Sequence, residues 1–196
     1  FHGFKMKVGK PDLAEDCQRL AAVRAAVGAD FPVMIDANGR WDLAQARSAV
    51  RKCAGFRPYW QEDTLHPFDV PAHAALARDT EIPILAGETL YDKRMFRDFM
   101  TAGALGIAQP DVLKLGGITC WMEVAVLPRS FRLSLVPAGS NIMHIDAPLL
   151  AATPHGLMIA YSPWLGRFFQ PTISVYGAFA VFRPERGIGS VPPVAA

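Results

Sequence analysis

PVMID (residues 32–36), PYWQE (58–62) and PILAGE (83–88) decide how this chain folds. Each is a short apolar run that ends on a carboxylate, and the three carboxylates, Asp36, Glu62 and Glu88, stand 26 residues apart. A helix-like segment separates each run from the next. In a repeating strand–helix chain, one step of that size is one βα unit. Equal spacing therefore predicts all three carboxylates at the same end of adjacent parallel strands. In a closed (β/α)₈ barrel that end is where catalytic groups collect. Converging carboxylates repel one another unless a hard cation sits between them, and oxygen-only ligands favour magnesium.

Outward from these three, extended runs recur at GFKMKV (3–8), GIAQPD (106–111), LSLVP (133–137) and LMIAY (157–161). The intervening segments have helical periodicity. Asp12 and Glu15 stand in capping-box spacing with Gly28 as a stop, and Asp42 and Gln45 repeat the device. Nearly continuous apolar strands alternating with helices predict a parallel sheet covered on both faces. The fold class is α/β, a (β/α)₈ TIM-type barrel. Seven strands are one short of a barrel, and a typical barrel needs about 250 residues. The expectation is that the first strand and its helix precede Phe1. Residues 1–165 would then hold strands two to eight. Residues 166–196, rich in Phe, Gly and Pro, would wrap back on the barrel or toward a capping domain. The competing fold is a doubly wound open sheet, which binds nucleotides through a glycine-rich first turn. Here that turn, VGKPD (8–12), has one glycine and no GxGxxG.

Composition narrows the classes. A formal charge of +2, with no basic run or acidic tail, argues against nucleic acid and membrane surfaces as partners. The three cysteines, Cys17, Cys53 and Cys120, are scattered, and read as reduced thiols of a cytoplasmic protein. No apolar stretch reaches the roughly 18 residues a membrane span needs. The first residues read as mid-domain sequence, so they give no view of a leader peptide.

Lys5 and Lys7 flank Met6, and period-two alternation points both ammonium groups to one side of the strand, toward the barrel interior. A buried ammonium needs an anion. Mutual repulsion and partial burial are expected to lower the pKa of one lysine, which makes it a usable base near neutrality.

FKMKVG, MIDAN, WQEDT, AGETL and QPDVLKLGGIT, in that order and spacing, resemble the barrel domain of the enolase superfamily from about Phe4 to Gly189. The glutamate of AGETL is similar to the mandelate racemase subgroup, which includes the acid-sugar dehydratases. The resemblance implies that Asp36, Glu62 and Glu88 ligate Mg²⁺, that Lys7 is the general base, and that Lys5 is its partner near the substrate carboxylate. The general pattern in this superfamily is a Lys or His base with Mg²⁺ holding an ene-diolate. It implies α-proton abstraction from a hydroxy-carboxylate, and in the dehydratases loss of a β-hydroxyl from a sugar acid. Partners would be a small-molecule carboxylate substrate and, since unpaired sheet edges associate, further copies of the chain in a homo-oligomer. Asn38 in DAN and His66 in TLHPFD are candidate substrate contacts.

Two positions depart from the pattern. A histidine is expected on the seventh strand, paired with Asp111. Reading without gaps puts Ala138 there; counting back from LLAATP puts Ser140. A glutamate is expected before Tyr161, where the sequence has Ala160. His144, six residues beyond Ala138, is a candidate substitute for the histidine. These losses open one alternative, a non-catalytic metal-binding relative; a racemase or epimerase of a 2-hydroxy acid is a separate one. Racemisation needs a second base on the opposite face, against which Ala138 speaks.

Overall fold

Four helices in succession begin on an aspartate, and that repeated start divides the chain into strand–helix units. The computed structural model describes residues 1–138, 142–161, 173–177 and 179–182. Its elements run β1 (Phe4–Lys7), α1 (Leu13–Val27), β2 (Val33–Asp36), α2 (Leu43–Cys53), β3 (Gln61–Glu62), α3 (Val70–Arg78) and β4 (Ile84–Ala86). They continue with α4 (Lys93–Thr101), β5 (Ile107–Ala108), α5 (Ile118–Ala125), α6 (Leu127–Ser130), β6 (Ser134–Leu135) and α7 (Met143–Ala151). Two further strands follow, β7 (Ile173–Tyr176) and β8 (Phe179–Phe182).

Asp12, Asp42, Asp69 and Asp92 each accept a first-turn backbone N–H, satisfying donors that a helix start leaves open. The capping box at Asp42 and Gln45 closes in both directions. At α1 Asp12 accepts from Ala14, while the Glu15 carboxylate reaches Lys10 at 3.0 Å instead. Gly28 ends α1 at φ 86°, with its N–H on the Arg24 carbonyl.

Strands β1 to β6 pair in chain order, every pair parallel, in the strand–helix alternation of a (β/α)₈ barrel. The LMIAY run is a correction: it forms no strand, and the parallel bridge beside it joins Leu135 to Gly156, the residue before the run. Leu135 donates to the His155 carbonyl at 3.1 Å, and Leu157 donates to the Leu135 carbonyl at 2.9 Å. Among the described residues no ladder joins this run to β1, so its remaining backbone has no strand to extend along. The rings of Phe1, ahead of β1, and Tyr161, at the end of this run, lie 5.4 Å apart.

Three apolar layers follow from strand alternation. Met34, Trp60, Leu85, Ile107 and Val136 fill the concave side of the sheet, with Met158 against them. On the convex side Val33, Ile35 and Ile84 pack with Leu20 of α1 and Ala46, Ala49 and Val50 of α2. A second outer cluster joins Ala108 and Leu135 to Phe96, Trp121 and Leu149 of the later helices. The boundary expected near residue 165 lies outside the described residues. Within the segment beyond it, β7 and β8 form an antiparallel hairpin, and Phe179 meets the His2 ring at 5.1 Å.

Candidate active site at the strand ends

Parallel pairing sets Lys7 beside Asp36 and Asp36 beside Glu62, all three at the last residue of their strands. The 26-residue step therefore lands Asp36 and Glu62 at one level. The next step does not: Glu62 pairs with Leu85, and Glu88 stands three residues farther along, beyond the end of β4. The chain turns there through Gly87 at φ 134°. A Cβ at Gly87 would meet the Phe96 ring at 2.6 Å and the Gln109 carbonyl oxygen at 2.9 Å, so only glycine brings the chain to Glu88 this way.

Both lysines enter the site as alternation predicts. Lys7 Nζ donates to Asp36 Oδ2 at 2.5 Å and to Asn38 Oδ1 at 2.7 Å. Lys5 Nζ lies 2.5 Å from Glu62 Oε1 and 3.1 Å from Asp36 Oδ2. Asn38, at φ 47°, also donates its backbone N–H to Asp36 Oδ1 at 3.0 Å. Asp36 is fully buried and Glu62 nearly so. Glu62 accepts two further hydrogen bonds, from Gln109 Nε2 at 3.0 Å and Trp60 Nε1 at 3.2 Å. Trp60 thus packs inside the barrel and holds a carboxylate as well.

The charges shape one another. Burial opposes ionisation of Asp36, but Lys5 and Lys7 together outweigh it and hold the carboxyl below its ordinary range. Burial also works against the Lys5 ammonium; Glu62 and Asp36 outweigh that, and its pKa is raised. Lys5 is therefore not a lysine of lowered pKa, because two buried carboxylates act on it more strongly than desolvation does. Glu62 is pushed up by burial, with Asp36 adding to the effect and Lys5 opposing it.

Asp63 was not legible as a site residue. It is buried at φ 41°, and burial together with Glu88, Glu62 and Asp36 pushes its carboxyl up to about 8. It also shares a hydrogen bond with Glu88. Strand alternation would turn it away from Glu62; the left-handed backbone turns it back. Its only signal in the sequence is its place directly after Glu62.

Among the described residues no three carboxylates stand around one common ion position. The cations nearest to Asp36 and Glu62 are the two ammonium groups. In chemistry the donors fit a hard divalent cation. They are oxygen-only and largely buried, and burial first, then the nearby carboxylates, keep the Asp63 proton near neutrality.

On the other side of the sheet the register extends from Ala108 and Leu135 to set Asp111 beside Ala138, whose N–H donates to the Pro110 carbonyl at 3.1 Å. This supports the ungapped reading; Ser140 lies outside the described residues. Asp111 Oδ1 accepts from the backbone of Leu113 at 2.8 Å and Lys114 at 3.2 Å. Ala160 is half-buried. His144 is buried on α7, and burial lowers its pKa. His66 is exposed; its Nδ1 accepts from Phe68 at 3.4 Å, and its ring lies edge-on to Phe68. No described contact joins His66 to the carboxylates. A cavity of about 250 Å³ between α2 and α3, lined by Arg47, Val50, Arg51, Leu76 and Asp79, belongs to the outer helix layer and not to the strand ends.

A sequence profile described as enolase C-terminal domain-like matches residues 1–192. The chain belongs to the enolase superfamily. It is 33% identical over 187 residues to L-talarate/galactarate dehydratase of Salmonella typhimurium, covering 95% of this chain and 46% of that protein. It is 37% identical over 155 residues to 3,6-anhydro-alpha-L-galactonate cycloisomerase of Streptomyces coelicolor, covering 79% of this chain and 42% of the relative. L-Talarate dehydratase from Polaromonas sp. JS666, crystallised with Mg and L-glucarate, superposes with a TM-score of 0.89 at 33% identity, over 98% of this chain and 53% of that one. The chain thus spans about half the length of the relatives it matches. No helix among the described residues is long and apolar enough to cross a membrane.

Proposed function

We propose that the charged half of the strand-end face removes the α-proton of a hydroxy-carboxylate, and that the reaction leads to dehydration of a sugar acid. The observation that carries this reading is the array in which Lys5 and Lys7 both meet the buried Asp36, with Glu62 and Asn38 completing the contacts. A proton α to a carboxylate is very weakly acidic, so charge must be stabilised where it develops. Asp36, Glu62 and Glu88 would hold Mg²⁺. When bound, that ion supplies positive charge against the substrate carboxylate.

Lys7 is the general base. Its ammonium is the more exposed of the two and lies at the strand end, held by Asp36 and Asn38. It accepts the α-proton as the free amine. Lys5, deeper and fixed between Asp36 and Glu62, stays protonated and faces the developing negative charge. Asp111 serves the opposite side, where departure of a β-hydroxyl requires a proton. The acid sugars named for the relatives support the substrate class.

Ala138 beside Asp111 favours one second reading, a metal-binding relative without turnover. Turnover of galactarate, L-glucarate and arabinonate with Mg²⁺ separates the two. The dehydratase reading expects keto-acid product that disappears with Glu88→Gln. Tight Mg²⁺ binding with neither product nor α-proton exchange on any sugar acid would establish the non-catalytic relative.

A further inference from the structure

Among the described residues, α5 is the one helix that turns large apolar side chains to the surface. Ile118 is 45% exposed and Met122 36%, and Val126, whose helical backbone leads α5 into α6, is 58% exposed. Their i, i+4, i+8 spacing sets them in one stripe along the helix. The inner face needs none of them, because Trp121, Val124 and Ala125 already fill the cluster beneath α5. Leu113, ahead of α5, and Phe131, after α6, are exposed as well. The neighbouring α4 shows the opposite pattern, with Lys93, Arg94, Arg97 and Asp98 turned to water. The one charged side chain of α5 is Glu123, and Lys93 holds it at 3.7 Å. Next along the helix layer, α7 exposes no charge either: its Asp146 and His144 are both buried.

We propose that the outer face of α5 is the contact between two copies of this chain, packed antiparallel about a two-fold axis at Met122. Charge and size both select a second copy. In a two-fold interface a patch meets itself, so a net charge on it would repel its own copy. This patch is neutral, because Lys93 offsets Glu123, and it offers no field to a strongly charged partner. The stripe is also self-complementary. With Met122 on the axis, Ile118 of one copy faces Val126 of the other and Met122 faces itself. The exposed apolar side chains at and beside α5 present on the order of 400 Å². A stable interface takes about 800 Å² per partner, a little over half of it apolar. The stripe supplies that apolar share, and Thr119 and Glu123, exposed beside it, supply polar rim.

Sedimentation and hydrogen exchange on the full-length protein test this together. The wild-type protein should sediment as a dimer or a multiple of one. Met122→Asp combined with Val126→Asp places carboxylates at the centre of the face, twice per interface. The assembly mass should then halve, with the dissociation constant raised on the order of 10²-fold or more. Both side chains are exposed, so circular dichroism should show the fold retained. Tyr176→Asp, on the β7–β8 hairpin, should leave the assembly whole. In the wild-type protein the amides of α5 should exchange more slowly as concentration rises, while those of α1 should not change. A wild-type monomer, or an assembly whose mass the double substitution leaves intact, overturns the proposal. So does protection of α5 that is independent of concentration, because the protein's own chain would then be the cover.

Discussion

The two halves of the strand-end face share one backbone and differ in nearly everything their side chains do. From β1 to β4, Lys5, Lys7, Asp36 and Glu62 sit at or near strand ends, each held by at least two polar partners. From β5 onward the register is kept, but Ala138 stands beside Asp111, and the acid Asp146 is buried with no hydrogen-bond partner among the described residues. Strand pairing therefore does not depend on what the face carries. Charge on the first half is held by contacts among Lys5, Lys7, Asp36 and Glu62, while burial raises the carboxyls of Asp63 there and of Asp146 on the second.

Removing a member of the charged half should have the largest effect on stability. Lys5→Met leaves Asp36 and Glu62 buried with less positive charge. Breaking a buried pair typically costs about 3–5 kcal/mol, and because the Lys5 side chain is 31% exposed the loss should fall near the lower end, about 3 kcal/mol. Chemical denaturation measures it; a loss below that of an ordinary surface substitution would show that the array is not over-determined. Gly87→Ala should cost about 2 kcal/mol, because a methyl group at φ 134° meets Phe96. It should also perturb Glu88 and, through the Gln109 carbonyl, the end of β5.

The depleted half should answer to pH. Unfolded, Asp146 loses its proton near the ordinary carboxylate range; folded, it keeps it up to about 8. Between these values the folded state binds more protons, so this group makes stability fall as pH rises, by up to about 1.4 kcal/mol per pH unit. Asp146→Asn should remove that decline, as read from denaturation midpoints across pH 4 to about 8. Asp36 has the opposite sign. Its folded pKa is depressed, so its contribution is present above the unfolded pKa and is lost as pH falls through the folded one. Ala138→His should show the smallest effect on stability, within about 1 kcal/mol, since the position is half-buried and already in register.

How much of this was readable differs between the same two halves. The step from Asp36 to Glu62 and the alternation of Lys5 and Lys7 are local periodic signals, and both lead to real contacts. The step to Glu88 has the same length but a different level, because the chain passes the end of β4 and turns at Gly87. Asp63 was hidden by a left-handed backbone that no period-two pattern reveals. Asp146 was hidden for another reason: its burial depends on how α7 packs against the cluster around Val112, a long-range fact. The LMIAY run has strand-like composition, yet composition cannot supply the neighbour that a ladder needs.

The central claim is that Lys7 takes an α-proton at the charged half. Proton NMR of galactarate held with the full-length, Mg²⁺-loaded protein in D₂O tests it most directly. The account predicts loss of the α-proton signal with the wild-type protein and with Ala138→His, and no loss with Lys7→Ala. Exchange that continues at an undiminished rate in Lys7→Ala would contradict it and move the base elsewhere.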